Sequence, residues 1–350
     1  MSGFVHEALP MRVVFGTGSL GRVVEEVEHL AMARVLVLVT PEQRGLAEQV
    51  AGLLGDRAAG IFDQARMHVP VATVDKAAEV VDAVGADGCV AVGGGSTIGL
   101  GKALALRHGL PVLAVPTTYA GSEMTPIWGL TEDGRKQTGR DRRVLPRSVV
   151  YDPELTLTLP PVVSGTSGLN AIAHAVEALY APDGTPIIAA MAEQGVRDLA
   201  AALPVVVADP TDADARARAL QGAWLCGACL GATTMGLHHK LCHVLGGMLD
   251  LPHAETHAIV LPHVAAYNLT AAPEADAVLR RALDTSDVPG ALSELGARVG
   301  APDALVALGV DHADLARVAD EVLAAPYSNP RPPTRAELGA ILEAAWRGPR

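Results

Sequence analysis

Over roughly the first 150 residues, short runs of β-branched and small apolar residues alternate with amphipathic stretches, the pattern of parallel strands joined by crossover helices. Residues 35–39, 88–92 and 111–115 predict three such strands. Each run stops at a turn: Thr40-Pro41, Gly93-Gly94-Gly95-Ser96 and Pro116-Thr117-Thr118. In open α/β sheets ligands bind beyond the carboxyl ends of the strands, so these turns are where a ligand is expected. Past Tyr151-Asp152-Pro153 the pattern changes to long Ala- and Leu-rich stretches with few strand signals. The expectation is a Rossmann-like α/β dinucleotide-binding domain over residues 1–153 and an all-helical domain over residues 154–350. A Pro-rich loop at residues 329–333 precedes a last helix expected over residues 334–346.

A chain of 350 residues has room for two cores, in keeping with that division. Composition sharpens the picture: 49% of residues are apolar but only 3% aromatic, so the interiors must be packed with Ala, Val and Leu. The net charge of -12 and the lack of a basic run argue against a nucleic-acid partner. An anionic small molecule would need a local basic pocket. Cys89, Cys226, Cys229 and Cys242 form no disulfide framework, and the single Cys226/Cys229 CxxC lacks the second ligand pair of structural zinc. Neither a secretory leader nor a membrane helix of about 18 apolar residues is visible. A cytoplasmic protein without membrane partners is expected.

The glycine turn Gly93-Gly94-Gly95-Ser96 lies between a buried strand and a helix-forming segment, so its backbone N–H groups meet an anion at a helix N-terminus. It is not GxGxxG, and a purely structural turn remains the competing reading. Gly16 and Gly18 could approach a cofactor or form a hairpin, and Thr117, Thr118 and Ser122 could wall a nucleotide cleft. Thr40, with Glu42, stands where the adenosine ribose would be read.

Histidines are concentrated further on. Asn170 and His174 lie four apart on one predicted helix face, His239 and His243 repeat that spacing, and His238, His253, His257 and His263 are close by in sequence. Imidazole transfers protons near neutral pH and is the commonest metal ligand, so two explanations compete. One is a metal site from Asn170, His174, His239 and His253, weakened by a neutral amide in place of a carboxylate. The other is a metal-free basic pocket of His and Lys that holds carboxylates, which the residues favour.

In this order, the GGGS turn with Lys102 downstream, PTTYAGSE from Pro116, Lys136, YDPEL from Tyr151, Asn170-x3-His174 and His239-x3-His243-x9-His253 resemble the iron-containing alcohol dehydrogenase family. The resemblance runs from about Gly16 to His263. Within the family the chain looks like the branch that reduces maleylacetate, through Leu237 to Gly247 (LHHKLCHVLGG) and Leu251 to Ala258 (LPHAETHA). Gly99 and Asn170 stand where many members carry Asp, and the second change puts a bound metal in doubt. The resemblance implies a homodimer, a site in the cleft between the domains, and reduction of maleylacetate to 3-oxoadipate by NADH or NADPH. It further implies Lys102 at the cofactor and His243 near the nicotinamide as general acid, with His174, His238, His239 and His253 around the substrate. Lys136 and Lys240 are the preferred carboxylate-binding cations; Arg135, Arg140, Arg142 and Arg143 read as a solvated loop. Other readings on the same fold are a metal-dependent alcohol or glycerol dehydrogenase and a lyase like dehydroquinate synthase; a non-catalytic nucleotide-binding regulator has no use for so many titratable groups.

Overall fold

The computed structural model describes residues 4–9, 11–132 and 135–348, with only the backbone of Arg135 and Lys136. The chain divides into two compact units. The α/β unit spans Ala8–Leu159, and the helical unit takes Pro160 onward together with the described residues before Ala8. The division thus falls at Leu159/Pro160 rather than near residue 153, because the last strand is followed by a short 3-10 turn, Pro153–Thr156, whose Leu155 packs on the α/β core.

In the α/β unit the strands are β1 (Arg12–Phe15), β2 (Val35–Leu38), β3 (Ala58–Phe62), β4 (Gly88–Gly93), β5 (Val112–Pro116), the pair β6 (Ile127–Glu132) and β7 (Arg135–Arg140), and β8 (Ser148–Tyr151). Six form one parallel sheet in the order β3-β2-β4-β5-β8-β1. Helices α1 (Val23–His29), α2 (Arg44–Leu54), α3 (Val71–Val84) and α4 (Gly95–His108) connect them. Strands β2, β4, β5 and β8 are buried along their whole length, so the sequences of β2, β4 and β5 are uninterrupted runs of apolar and small residues rather than alternating ones. Val35, Val37, Val90, Val92, Leu113 and Val115 make the core with Val23, Val27 and Val50 from the helices. From β2 the chain moves outward to β3, then returns across β2 to β4 and continues the other way to β5. That reversal makes the carboxyl ends of β2 and β4 the topological switch point of the sheet, where such folds bind ligands.

Strands β6 and β7 form an antiparallel hairpin of their own, with Trp128 opposite Gly139. The basic segment around residues 135–143 is therefore half strand, not a simple loop.

The helical unit comprises α5 (Pro161–Leu179), α6 (Pro186–Ala208), α7 (Ala213–Ala232), α8 (Leu237–Leu249), α9 (His253–Asn268), α10 (Pro273–Leu283), α11 (Val288–Arg298), α12 (Asp314–Leu323) and α13 (Arg335–Arg347). The scarcity of rings shows in how these helices meet. A Cβ on Gly222 of α7 would sit 2.9 Å from the Gly195 carbonyl of α6, so the two backbones touch where larger side chains would hold them apart. A second cluster from α8, α9, α12 and α13, including Leu241, Leu245, Val260, Val318 and Leu342, supports the segment that carries most of the histidines. No described helix is long and apolar enough to cross a membrane.

Candidate active site

At the switch point, Gly93 ends β4 with φ +146°, and Gly94 precedes the first turn of α4. A Cβ on Gly93 would lie 2.7 Å from Thr97 Oγ1 and 2.9 Å from Gln43 Oε1, and one on Gly94 would lie 2.9 Å from Thr118 Cγ2. Packing and backbone angle therefore both demand glycine at Gly93, and packing does so at Gly94. What the turn leaves open are the first N–H groups of α4, at Gly95 and Ser96, which have no partner within the helix and carry its positive dipole end. Gln43, which the sequence did not single out, reaches across from the turn after Thr40 and donates to Thr117 Oγ1 at 3.0 Å. Thr40, Gly93, Gly94, Gly95, Ser96, Thr117 and Thr118 thus line one end of the sheet.

Three expected cofactor residues have other work. Lys102 is fully buried, and its ammonium donates to the carbonyls of Ser122 and Ile127 and to the hydroxyls of Ser122 and Thr125. Burial drives its pKa down to about 7, against the opposing pull of Glu123. Lys102 is a strut that holds the turn at Ser122–Met124, and Ser122 is its acceptor. Gly16 ends the edge strand β1, with β8 and β5 between it and β4. The Asp152 carboxylate accepts the N–H groups of Gly18 at 3.2 Å and Leu20 at 2.9 Å, which gives this glycine turn a structural role.

The histidines converge in the helical unit. Asn170 and His174 share the inner face of α5, where burial and helical spacing put Glu177 beside them. Helix α8 contributes His238, His239 and His243, and α9 contributes His253 and His257. Ring centroids are 5.1 Å apart for His174 and His239, 6.0 Å for His239 and His243, 6.1 Å for His243 and His253, and 4.2 Å for His253 and His257. His174, His238, His239 and His257 are buried, whereas His243 and His253 are exposed. Lys240 is half-buried on α8 and has no hydrogen bond to the cluster among the described residues. Lys136 lies in β7, and its side chain is outside the described residues.

Two residues of the cluster carried no strong sequence signal. Glu177, fully buried, meets His239 Nδ1 with Oε2 at 2.5 Å, and its carboxylate accepts the backbone N–H groups of Gly236, His238 and His239. His257 Nδ1 pairs with His238 Nε2 at 2.9 Å. Their signals were the helical offsets: Glu177 follows His174 by one turn, as His257 follows His253.

Burial, reinforced by the neighbouring rings, holds His174 and His257 well below the usual histidine value, and burial takes His238 to about 3. All three are neutral at physiological pH. Burial pushes the Glu177 carboxyl up, but its hydrogen bond with His239, the nearby imidazoles of His239 and His238 and the backbone N–H of His238 outweigh this and leave it below the ordinary value. The site therefore contains one buried anion, behind His239.

The polar atoms without partners test whether a metal fits. Asn170 Oδ1 and His239 Nε2 are buried acceptors with no hydrogen bond, as donors to a cation would be. With His174 and His253 they could hold a divalent ion, which would polarise a carbonyl oxygen as a Lewis acid. None of the four is an anion, however, where a carboxylate would help offset the ion's charge. His238, Cys242 and His257 also bring ligand-type atoms within 4.8 Å of one another. There the outer nitrogens, His238 Nδ1 and His257 Nε2, have no acceptor, so the second shell that orients metal-bound histidine is missing.

The nucleotide-type turn in one unit and the histidine cluster in the other each agree with what the chain resembles. The iron-containing alcohol dehydrogenase model matches residues 10–153, and the C-terminal model of the Fe-containing alcohol dehydrogenase family matches residues 164–346. The chain belongs to the iron-containing alcohol dehydrogenase family and is an oxidoreductase. It is 56% identical over 345 residues to a maleylacetate reductase of Sphingobium indicum, covering 99% of this chain and 98% of that one. To a maleylacetate reductase of Burkholderia cepacia it is 55% identical over 350 residues, covering 100% and 99%. The crystal structure of maleylacetate reductase from Agrobacterium tumefaciens matches it with a TM-score of 0.97 at 52% identity, over 99% of each chain.

Proposed function

We propose that this protein reduces the carbon–carbon double bond of maleylacetate to give 3-oxoadipate, with NADH or NADPH as hydride donor. The observation that carries the reading is 56% identity to a maleylacetate reductase over 99% of the chain. The site chemistry supports it. Hydride adds to the alkene carbon remote from the ketone, the electron pair moves onto the ketone oxygen as an enolate, and a proton on the carbon next to the ketone completes the reduction. The first N–H groups of α4 suit the cofactor pyrophosphate. His243, exposed and able to exchange protons with solvent, serves as the general acid, and the buried histidines orient the substrate and exclude water from it. Lys136 and Lys240 are the proposed cations for the two substrate carboxylates.

The same reading makes a metal dispensable. With Asn170 in the donor set, a divalent ion would rest on neutral ligands alone, so we assign hydride donation to the cofactor and protonation of the substrate to the protein without it. The test is oxidation of NADH by fresh maleylacetate, on enzyme stripped with EDTA and then given Fe²⁺ or Zn²⁺. Full activity after stripping is expected. Activity that appears only with added metal, or only with simple alcohols, would replace this reading by a metal-dependent alcohol dehydrogenase.

A further inference from the structure

We infer that Glu177 is the positioning residue of this site: it fixes the ring and tautomer of His239, so that Nε2 is the nitrogen offered to the reaction. A carboxylate has only acceptors. Its Oε1 takes the His238 N–H at 2.8 Å, and its Oε2 takes those of Gly236 at 3.1 Å and His239 at 3.3 Å. The same Oε2 faces His239 Nδ1 at 2.5 Å, so Nδ1 must be the N–H. In the neutral ring the lone pair is then on Nε2, which is buried and has no hydrogen-bond partner among the described residues. Among the described residues, His239 is the only one of the four buried rings with a carboxylate as hydrogen-bond partner. His174 Nδ1 has no partner at all, and the bond between His238 and His257 can form with the proton on either side.

The position of Glu177 adds a second constraint. It lies on α5 with Asn170 and His174, while the N–H groups it accepts are at the start of α8. One carboxylate thereby sets the ring of His239 and joins the two helices that carry the cluster. Replacing it by Gln would put an amide N–H where Oε2 stands, or leave the pair of oxygens half filled. An amide donor facing Nδ1 moves the imidazole proton to Nε2 and turns the offered acceptor into a donor. In the serine-protease triad, an acid-to-amide change of this kind drops kcat by about 10⁴ with the geometry intact.

The experiment reads the tautomer by nitrogen-15 NMR of the histidine side chains, with His239 assigned by its loss in H239N, alongside maleylacetate kinetics. Wild-type protein should hold His239 in the Nδ1–H form. Glu177→Gln should shift it to Nε2–H and lower kcat by about 10²- to 10³-fold while the KM for NADH changes by less than about threefold. Glu177→Asp, still an acceptor-only group, should keep Nδ1–H and recover at least about a tenth of kcat. An Nε2–H ring in the wild type, or an unaltered kcat in Glu177→Gln, overturns the inference. If Glu177→Gln fails to fold, the wild-type spectrum and Glu177→Asp decide it: Nδ1–H in both, with kcat recovered, supports it, and any other result overturns it. The kinetic part rests on the proposed reductase activity; the tautomer does not. A wild type that leaves maleylacetate unreduced would sink the function and leave the NMR result standing.

Discussion

The buried histidines make stability depend on pH in a direction set by their burial. His238, taken to about 3, and His257, held well below the usual histidine value, stay neutral in the folded protein, whereas in the unfolded chain each takes up a proton below about 6.5. The unfolded state then binds more protons, so stability is complete above pH 6.5 and falls as the pH drops toward 3. Each ring contributes a slope of about 1.4 kcal/mol per pH unit. Glu177 has the opposite history: its folded value is below the ordinary 4.5, so its stabilisation is lost only at lower pH. Urea midpoints should therefore fall between pH 6.5 and 5, less steeply in His257→Gln; equal midpoints at the two pH values would refute this. At this scale the sequence was informative where chemistry repeats with helical spacing, as in Asn170/His174 and His239/His243. On Glu177 it offered only a helical offset from His174, because a lone Glu in an Ala-rich helix normally faces solvent. With Lys102 it was misleading: a cation downstream of a glycine turn looks like a cofactor residue until its burial and four acceptors are known.

Lys102 also sets the prediction for elements. It joins α4 to the turn at Ser122–Met124 and to the start of β6. In Lys102→Met the half-buried carbonyls of Ser122 and Ile127 and the buried Thr125 hydroxyl lose the same donor, a loss of about 2–4 kcal/mol by chemical denaturation. The affinity for NADH should change little. A large drop in nucleotide affinity at unchanged stability would instead return Lys102 to the cofactor site. The strands β2, β4 and β5 were legible because burial on both faces leaves an uninterrupted apolar run. The last helix was legible because the Pro-rich loop at residues 329–333 marks where it starts, and Thr334 and Glu337 form a capping box there. The hairpin was not: Arg135-Lys136-Gln137-Thr138-Gly139-Arg140 has no apolar alternation, and its pairing depends on partners such as Trp128 facing Gly139, which only the fold supplies.

For the whole molecule, two units with separate cores predict that ligands act on separate sets of amides. The division itself was only partly legible, because His6 reaches Thr185 at 3.2 Å across 179 residues of sequence, a contact no local pattern announces. Hydrogen exchange can test the assignment of roles. NADH at a hundredfold over its Kd stabilises whatever binds it by about 2.7 kcal/mol, or about a hundredfold in protection for amides that exchange through opening of that structure. The protection should centre on the carboxyl ends of β2 and β4, the turn Pro41–Gln43 and the first turn of α4. Adding 3-oxoadipate should then slow exchange in α5, α8 and the start of α9, where the histidines lie. The order matters because the glycine turn was assigned from topology and the histidines from chemistry, two independent arguments. If nucleotide alone protected the histidine helices and left β4 and α4 unchanged, the switch-point argument would fail even with the reductase activity confirmed.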